Sequence, residues 1–331
     1  MPFTINQARP TNAEILALAK AATPKPFDYY RKRAGYDEAD ISYAQCIGEA
    51  LGNPHSVPFE LREVGILRGV AALKHLDWDT EVYGFPMGKV DFLVADVQGS
   101  SVAVFLRRKL LEAVIAHARA KGYRHLVLRA DPYDLGAIHA GESLGFRFMD
   151  ALTVHACNCM LAEFDPADYP QIKLATEDDR SEVARVTRAS FTGHANRYSL
   201  DWRLPPDGVL KLYEKWMTDG IGKAEHVVAI ARDPKTGRGV GCSHGGPYVT
   251  VGQTNPIKIT RVVLTAVDPE YRGHWVMPAV GAWMRGMLRD MWGYHFLETV
   301  LHVNNLAAIR VADLLDTNHI AAEISFHLWL D

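Results

Sequence analysis

Hydrophobic and polar positions recur with two different periods along this chain, and each period predicts a different element. Residues 259–267 alternate between two faces and are rich in β-branched side chains, so they predict a strand. A helical period follows at 277–292, a second strand at 296–301 and a second helix from 305 to 315. Residues 259–315 thus predict the order strand, turn, helix, strand and helix.

The remaining patterned segments predict an alternation of helices and strands from end to end. Helices are predicted at 11–22, 37–51, 101–120, 135–144, 179–191 and 208–218, and strands at 64–73, 89–95, 124–130, 147–160, 225–231, 240–244 and 321–330. Thr11 and Glu14 have the spacing of a capping box at the first helix. Residues 101–160 and 277–330 share the order helix, strand, helix, strand, which predicts a degenerate internal duplication.

A polar, proline-containing stretch at 163–170 predicts a linker between two sheet-containing halves. We therefore expect a helical N-terminal segment at 1–60, a first sheet domain at 61–162 and a second at 171–331. A length of 331 residues is ample for two domains.

The turn between the strand 259–267 and its helix predicts an anion site. Pro269 ends the strand, Gly273 permits an unusual backbone turn, and Arg272 adds a fixed positive charge. Free backbone N–H groups and the helix dipole point at the same spot. The corresponding stretch of the first half, 96–100, has no Arg-Gly pair, so we expect an anion to bind the second half alone.

These residues resemble the GCN5-related N-acetyltransferase superfamily, in which a strand ends in Val-x-Pro-x-x-Arg-Gly-x-Gly-x-Gly/Ala and a later Asn-x-x-Ala opens a helix. The matching positions are Val267, Pro269, Arg272, Gly273, Asn305 and Ala308. Trp275 and Met277 stand where the family has small residues. The resemblance implies an α/β (α+β) fold of tandem acetyltransferase-type domains, with mixed sheets flanked by helices and a degenerate first domain.

The same resemblance implies acetyl-CoA or another short acyl-CoA as the cofactor, held by loop amides at its pyrophosphate and by the second helix at its pantetheine arm. The residues implied in cofactor binding are Leu264, Thr265, Val267, Arg272, Gly273, His274, Trp275, Val276, Asn305 and Ala308. For Asn305 the alternative is a plain helix cap.

From about residue 76 onward the chain is also similar to the dTDP-fucosamine N-acyltransferase family of bacterial surface-polysaccharide synthesis. The similarity lies in the segments Trp78–Gly84 and Ala189–Phe191, in Arg197 and Trp202, and in Tyr213–Trp216. It implies an amino sugar attached to a nucleotide as the substrate, bound by Trp78, Tyr83, Arg197 and Trp202. For the loop at 78–85 the alternative is an aromatic core plug. The family's tyrosine, the acid for the leaving thiolate, corresponds to Ala312.

Acyl transfer to an amine needs a base for the amine proton and a donor that polarises the thioester carbonyl. His302 and His244 are the candidate bases, because each lies at the end of a predicted strand near the cofactor arm. Asp268 and Glu270 come next, and Asn305 completes the candidate catalytic set. Each histidine has a structural role as its alternative.

Composition excludes several classes of function. The net charge is −3 without a basic block, which gives no indication of nucleic-acid binding. No apolar run reaches about 18 residues, so no membrane span is expected. The first residues lack the pattern of a signal peptide, and we expect a cytoplasmic protein. Cys157 and Cys159 suit neither a redox pair nor a zinc knuckle, so no metal is expected.

The sequence therefore predicts an acyl-CoA-dependent N-acyltransferase that acts on a small molecule, with a nucleotide-linked amino sugar as the leading acceptor. Two alternatives stay open: an enzyme for another small amine, and a non-catalytic protein of the same fold that binds coenzyme A. A homodimer is also left open.

Overall fold

The computed structural model describes residues 3–330, and within them the two halves of the chain follow a similar order of elements. The first half contains, in chain order, β1 (Phe3–Asn6), α1 (Asn12–Ala21), α2 (Asp28–Ala34), α3 (Tyr36–Gly52), β2 (Ser56–Glu63), β3 (Ile66–His75), α4 (Asp77–Tyr83), β4 (Met87–Ala95), α5 (Ser101–Ala120), β5 (His125–Ala130), α6 (Leu135–Ser143) and β6 (Arg147–Asn158).

The second half contains β7 (Ile172–Leu174), α7 (Arg180–Phe191), α8 (Arg197–Leu200), α9 (Pro206–Thr218), β8 (Val227–Arg232), β9 (Gly239–Val251), β10 (Ile257–Val267), α10 (Val276–Trp292), β11 (Phe296–His302), α11 (Leu306–Leu314) and β12 (Asn318–Trp329). In both halves one strand and its helices precede three strands, and helix, strand, helix and strand follow; the first half has the additional short helix α4 between β3 and β4. The predicted fold class, tandem domains with mixed sheets and flanking helices, is confirmed.

The contacts within the chain form two compact units. Unit 1 contains the residues up to Ala151, the segment Val251–Asn255 and the residues from Ala322 onward, and unit 2 contains Leu152–Thr250 and Pro256–Ala321. Strand β6, the last strand of the first half, therefore belongs from Leu152 onward to unit 2, and β12, the last strand of the second half, belongs from Ala322 onward to unit 1. From Leu152 onward β6 pairs with β11 in unit 2, and from Ile324 onward β12 pairs with β5 in unit 1, both antiparallel.

In unit 1, β1 to β4 are antiparallel neighbours and β4 runs parallel to β5. Helix α5 packs on one face of this sheet, while α1 and α3 bury Ile15, Leu18 and Ile47 against the other face. The contacts thus group residues 3–60, expected as a separate helical segment, with the first unit. Thr11 and Glu14 form the predicted capping box, in which the Glu14 N–H donates to Thr11 Oγ1 over 3.3 Å.

Unit 1 differs from the prediction in two places. The strand predicted at 64–73 is present as β3, but β2 before it was missed, and the two form a hairpin whose turn holds Val64 and Gly65 at positive φ. Residues 77–83, predicted as a loop, form α4. Its first turn contains Asp77 and Asp79, which favour a helix N-terminus, and Gly84 ends it in a left-handed conformation.

In unit 2, β7, β8 and β9 are antiparallel, β10 follows β9, and β11 lies between β10 and β6. Helices α7 and α9 cover one face of the sheet through Val183, Val186 and Met217. Helix α10 covers the other face through Val280 and Trp283. No helix within residues 3–330 combines the length and the apolar character that a bilayer-spanning helix requires.

Candidate functional site

Strands β10 and β11 of unit 2 start as neighbours and then separate. Their registered pairs run from Ile259 with Phe296 to Arg261 with Glu298, although both strands continue beyond these positions. At the last pair the Arg261 guanidinium donates to Glu298 Oε2 over 2.7 Å, and it stacks on the Tyr248 ring at 3.7 Å. The ion pair closes one end of a fork that opens toward the C-terminal ends of both strands, where an extended ligand could lie between them.

The two sides of the fork differ in polarity. Leu297 and Leu301 pack on the side of α10 and α11, so the alternation of strand residues places Glu298 and His302 on the side of α7 and α9. The α10 side is therefore apolar along β11. The α7 side carries the ionisable groups of this strand.

Strand β10 changes its alternation at the point where it leaves β11. Val262 packs with the α10 cluster, whereas Leu264 and Ala266 pack with the α7 and α9 cluster. Residues of equal parity on one regular strand share a face, so the chain contains one irregular position between Val262 and Leu264. Val263 lies there and is 40% exposed. Such an irregularity turns backbone groups of β10 away from the ladder and toward the fork.

The turn after β10 leads directly into an uncapped helix. Gly273 has φ +78°, and a Cβ there would meet nothing within 4 Å. Trp275 is the N-cap of α10 and offers no side-chain hydrogen bond, so amides of the first turn are left for a ligand. Arg272 and His274 are exposed at this turn, and Arg272 Nη2 donates to the Ser190 carbonyl over 2.6 Å. The turn therefore combines first-turn amides without a side-chain cap and an exposed arginine, and its role as an anion site stays a prediction.

The start of α10 is held against the sheet by a close approach to a glycine. Val276 is fully buried, and a Cβ on Gly241 of β9 would overlap its Cγ1. We expect Gly241→Ala to lower the free energy of unfolding by about 1–3 kcal/mol and to weaken ligand binding at the turn. Val276→Ala removes the overlapping methyl group, so the double variant should be less destabilised than the sum of the two single variants. Urea denaturation of all four proteins measures this, and strict additivity would contradict it.

The implied pantetheine side of the fork is formed by α11. Asn305 caps this helix, because its Oδ1 accepts the Ala308 N–H over 3.2 Å. The cap is present, and its additional role toward a cofactor stays a prediction. Ala308 and Ala312 are buried with Leu301, and Met277 packs against them. The position that corresponds to the family's tyrosine thus lies in an apolar cluster, which disfavours a proton-donating water at that point.

Other predicted cofactor residues lie along the same strand and turn. Thr265 Oγ1 is 2.9 Å from Ser243 Oγ, and the Val267 N–H donates to Ser190 Oγ over 3.2 Å. Trp275 packs with the α10 cluster, so its ring belongs partly to the core. These side chains are therefore engaged in structural contacts, and a ligand here would meet mainly backbone and the charge of Arg272.

His302, one predicted base, ends β11 on the polar side of the fork. Its Nδ1 accepts the Asn304 N–H over 3.2 Å. His194, which no sequence pattern had indicated, lies near His302. Burial, together with the nearby His302 and Arg272, lowers the pKa of His194. His194 follows α7, just after the segment 189–191 that the resemblance had marked. The structure thus brings His194, His302 and Arg272 to the open end of the fork.

His244, the other predicted base, lies in the interior of β9 and not at a strand end. It is buried, its Nδ1 is 2.7 Å from the Trp216 carbonyl oxygen, and its Nε2 is 2.8 Å from His226 Nδ1. Burial lowers the pKa of His244 to about 4, so it is neutral at pH 7. His226 was missed because no spacing pattern in the sequence connects it with His244.

Asp268 and Glu270, the next candidate bases, are bound to arginines. Asp268 is buried and accepts from Arg185 over 3.2 Å and from Arg238 over 2.9 Å. Glu270 lies 3.4 Å from Arg238 as well. Asp268 also accepts the Glu270 N–H as the cap of the turn. Both residues are placed to shape the turn.

The predicted acceptor-binding residues fall in different units. Trp78 on α4 is 41% exposed, while Tyr83 at the end of that helix is buried, with its ring 6.2 Å from that of Phe85. Arg197 begins α8 and stacks on the Tyr198 ring at 4.3 Å, and Trp202 is 85% exposed. Tyr83 has the surroundings of a core residue, and the acceptor role of all four residues stays a prediction.

Unit 1 contains a corresponding strand fork that its own side chains close. Strands β4 and β5 pair only from Met87 with His125 to Val90 with Leu128. The following loop and α6 are joined by Arg107, whose Nη1 donates to the Val97 carbonyl over 3.0 Å and whose Nε lies 3.1 Å from Asp134 Oδ1.

Two further features of unit 1 differ from unit 2. Ser100 caps α5 through a 3.3 Å bond from the Ala103 N–H, whereas α10 has no side-chain cap. Asp134 caps α6 as Asn305 caps α11, but a buried guanidinium neutralises it. In unit 1 the Arg107 side chain thus occupies the passage, which is the space between the loop after β4 and the Asp134 cap of α6.

Comparison with known proteins finds no matching family model and no matching curated protein. Solved structures of the same architecture are found. A tandem GNAT protein from the clavulanic acid biosynthesis pathway, solved without AcCoA, is 17% identical with a TM-score of 0.58, and the match covers 100% of this chain and 98% of that one. A GCN5-related N-acetyltransferase from Sphaerobacter thermophilus is 13% identical with a TM-score of 0.60, over 99% and 96% of the two chains.

These likenesses extend over the whole chain and concern its fold. Two units of the same element order, each with a parallel strand pair that diverges beside a helix, define the tandem fold of the GCN5-related N-acetyltransferases. The comparison thus shows the fold, and membership of the superfamily expected from the turn and from Asn305 stays a prediction.

Proposed function

We propose that unit 2 binds an acyl-CoA and transfers its acyl group to the amine of a small molecule. The observation that carries this proposal is the fork between β10 and β11, which opens beside the uncapped start of α10 and the Arg272 turn. An acyl-CoA supplies a thioester with an anionic pyrophosphate at one end, and both parts fit this arrangement. Gly273, Arg272 and the first-turn amides of α10 would hold the anion.

Unit 1 is proposed to lack this activity. Its passage is occupied by the buried pair of Arg107 and Asp134, and its helix α5 is capped by Ser100. A ligand would have to displace a guanidinium that is 1% exposed and leave Asp134 without its counter-ion. The stoichiometry should therefore be one acyl-CoA per chain.

In this reaction a residue of the chain must accept a proton from the amine. No strong acid is needed to protonate the leaving thiolate. A thiol has an ordinary pKa of about 8.5, so its thiolate can leave without a phenol at position 312. The ionisable groups on the α7 side of the fork, including His194 and His302, are the available proton acceptors. Both ring nitrogens of His244 are already engaged, one with the Trp216 carbonyl and one with His226. Backbone N–H groups at the irregular position of β10 are the proposed donors to the carbonyl oxygen.

The proposed acceptor is an amino sugar attached to a nucleotide. The exposed Trp202 offers a stacking surface for a base or sugar ring, and Arg197 offers charge for a phosphate. The apolar surroundings of Ala312 favour a second candidate, a protein that binds coenzyme A without catalysis, because they provide no proton donor near the leaving group.

Calorimetric titration with acetyl-CoA and with 3-hydroxybutyryl-CoA tests the binding step, and thiol release with dTDP-linked amino sugars and other amines tests the transfer. We expect one site per chain and thiol release that depends on an amine. Tight binding without thiol release for any amine would favour the non-catalytic protein. No heat with either ester would contradict both candidates.

Arg272→Ala should weaken acyl-CoA binding by about 10- to 100-fold, because a charged hydrogen bond to phosphate contributes about 1.5–3 kcal/mol. The expected kinetic signature is a raised KM for acyl-CoA with kcat near the wild-type value. Arg119→Ala, an exposed arginine on α5, is the matched control and should leave both constants unchanged. A fall in kcat with an unchanged KM would show that Arg272 acts in the chemical step.

A further inference from the structure

Two imidazole rings in unit 2 form a hydrogen-bonded chain whose proton positions follow from its geometry. His244 Nδ1 lies 2.7 Å from the Trp216 carbonyl oxygen, which can only accept, so His244 Nδ1 carries a proton. Burial keeps His244 neutral, which leaves its Nε2 as an acceptor. His226 Nδ1, 2.8 Å away, must then donate to it. The outer nitrogen of a neutral His226, Nε2, is therefore a bare lone pair.

The chain around these rings is shaped to receive them. A Cβ on Gly220 would overlap the His244 ring, and a Cβ on Gly246 would lie 2.6 Å from His226 Nδ1. Both glycines thus leave room where any other residue would displace an imidazole. A buried neutral histidine needs one acceptor and one donor for its two ring nitrogens, and the Trp216 carbonyl and His226 supply these for His244. Here a second histidine extends the chain of hydrogen bonds outward and ends it in a basic atom.

His226 Nε2 has no hydrogen-bond partner within residues 3–330, and His226 is only partly buried. The pair lies on the same side of the sheet as α9, since Trp216 belongs to that helix. Thr260 Oγ1 donates to the Gly246 carbonyl over 2.7 Å, so Gly246 lies level with the residue before Arg261. The His226 ring over Gly246 of β9 therefore lies on the polar side of the sheet, one strand away from β10 and level with the paired positions that close the fork.

We propose that His226 Nε2 is the general base for the acceptor amine and that His244 is a positioning residue. This inference rests on the proposed N-acyltransferase function. As the amine nitrogen bonds to the thioester carbonyl carbon and the carbon–sulfur bond breaks, one proton passes from nitrogen to His226 Nε2. The electron pair of the broken bond leaves with the thiolate, which takes a proton from water. His244 donates to the Trp216 carbonyl and accepts from His226, so it keeps the His226 proton on Nδ1 and the lone pair on Nε2.

The charged groups around the pair set its response to pH. Burial lowers the pKa of His226, Lys223 lowers it further, and Glu225 opposes this. Glu225 is itself 3.4 Å from Lys258 Nζ, and Asp219 acts on His244 from the end of α9. A base with a lowered pKa is unprotonated at neutral pH, so the acid limb of kcat/KM should lie below the usual 6.5 of histidine.

The test uses His226→Asn and His244→Asn in the full chain. Asparagine at 226 keeps a donor to His244 Nε2 but lacks the basic lone pair of His226 Nε2. Asparagine at 244 keeps the donor to the Trp216 carbonyl but places no acceptor at the position of His244 Nε2. We expect His226→Asn to lower kcat by about 10²- to 10⁴-fold and to abolish the acid limb, with acyl-CoA affinity unchanged. His244→Asn should cost less and shift the acid limb. His139→Gln, exposed on α6, is the control and should behave as wild type.

A second readout does not depend on turnover. Nitrogen-15 spectra of the histidine rings at pH 7.5 should show both His226 and His244 as the Nδ1–H tautomer, and His244→Asn should release His226 from it. An Nε2–H tautomer at His226 would overturn the inference, as would a His226→Asn enzyme with wild-type kcat and acid limb; transfer by the wild type would still stand. A wild type that binds acyl-CoA but transfers to no amine overturns the proposed function and the base role with it.

Discussion

Arg107→Met is expected to lower the free energy of unfolding of unit 1 by about 3–5 kcal/mol, the largest effect of a single substitution that this structure predicts. Arg107 is 1% exposed, its Nε lies 3.1 Å from Asp134 Oδ1, and its Nη1 donates to the Val97 carbonyl. Methionine fills part of the volume but leaves the carboxylate without a counter-ion and the carbonyl without a donor. Burial already raises the pKa of Asp134 against the effect of Arg107.

The mechanism can be separated from a simple loss of packing. Asp134→Asn in the Arg107→Met background removes the orphaned charge and keeps an oxygen to accept the Ala137 N–H, so the double variant should recover part of the loss. Arg108→Met is the matched control on the next residue of α5. Its pair with Glu112 is half exposed, and it should cost less than about 1 kcal/mol. Denaturant titration measures all four proteins, and equal losses for Arg107→Met and Arg108→Met would refute the buried-pair argument.

The second large effect is a loss of stability of about 3 kcal/mol as the pH falls from 6.5 to 4, caused by His244. Burial lowers the pKa of His244 from 6.5 to about 4 in the folded protein. Between these values the unfolded chain binds a proton that the folded chain does not, so stability rises with pH through this window. The penalty is absent above the unfolded pKa and complete below the folded one.

Comparison with His244→Asn isolates this contribution, because the burial of His117, His155 and His226 lowers their pKa values too and adds to the same slope. The variant loses a hydrogen bond and should be less stable than wild type at pH 7.5. Its stability should nevertheless fall less between pH 7.5 and 4.5. Parallel pH profiles for the two proteins would show that His244 keeps an ordinary pKa in the folded state.

Elements whose signals are local follow from the sequence. The capping box of Thr11 and Glu14, the full span of α5 and the cap of α11 by Asn305 were all predicted from neighbouring residues. The hairpin of β2 and β3 was not, because its turn depends on positive φ at Val64, a residue that rarely adopts it. The turn at Arg272 and Gly273 was found because its chemistry lies in one continuous stretch.

The sequence by itself indicated most of the elements, the duplication and the position of the turn at Arg272 and Gly273, since periodicity and caps depend on residues a few positions apart. Only the tertiary structure decided which strand completes which sheet, because β6 and β12 pair with partners far away in the chain. It alone placed Arg107 against Asp134 and His226 against His244, contacts that join residues 27 and 18 positions apart. Such pairs form when packing brings distant side chains into a shared buried volume, and no local pattern records that volume.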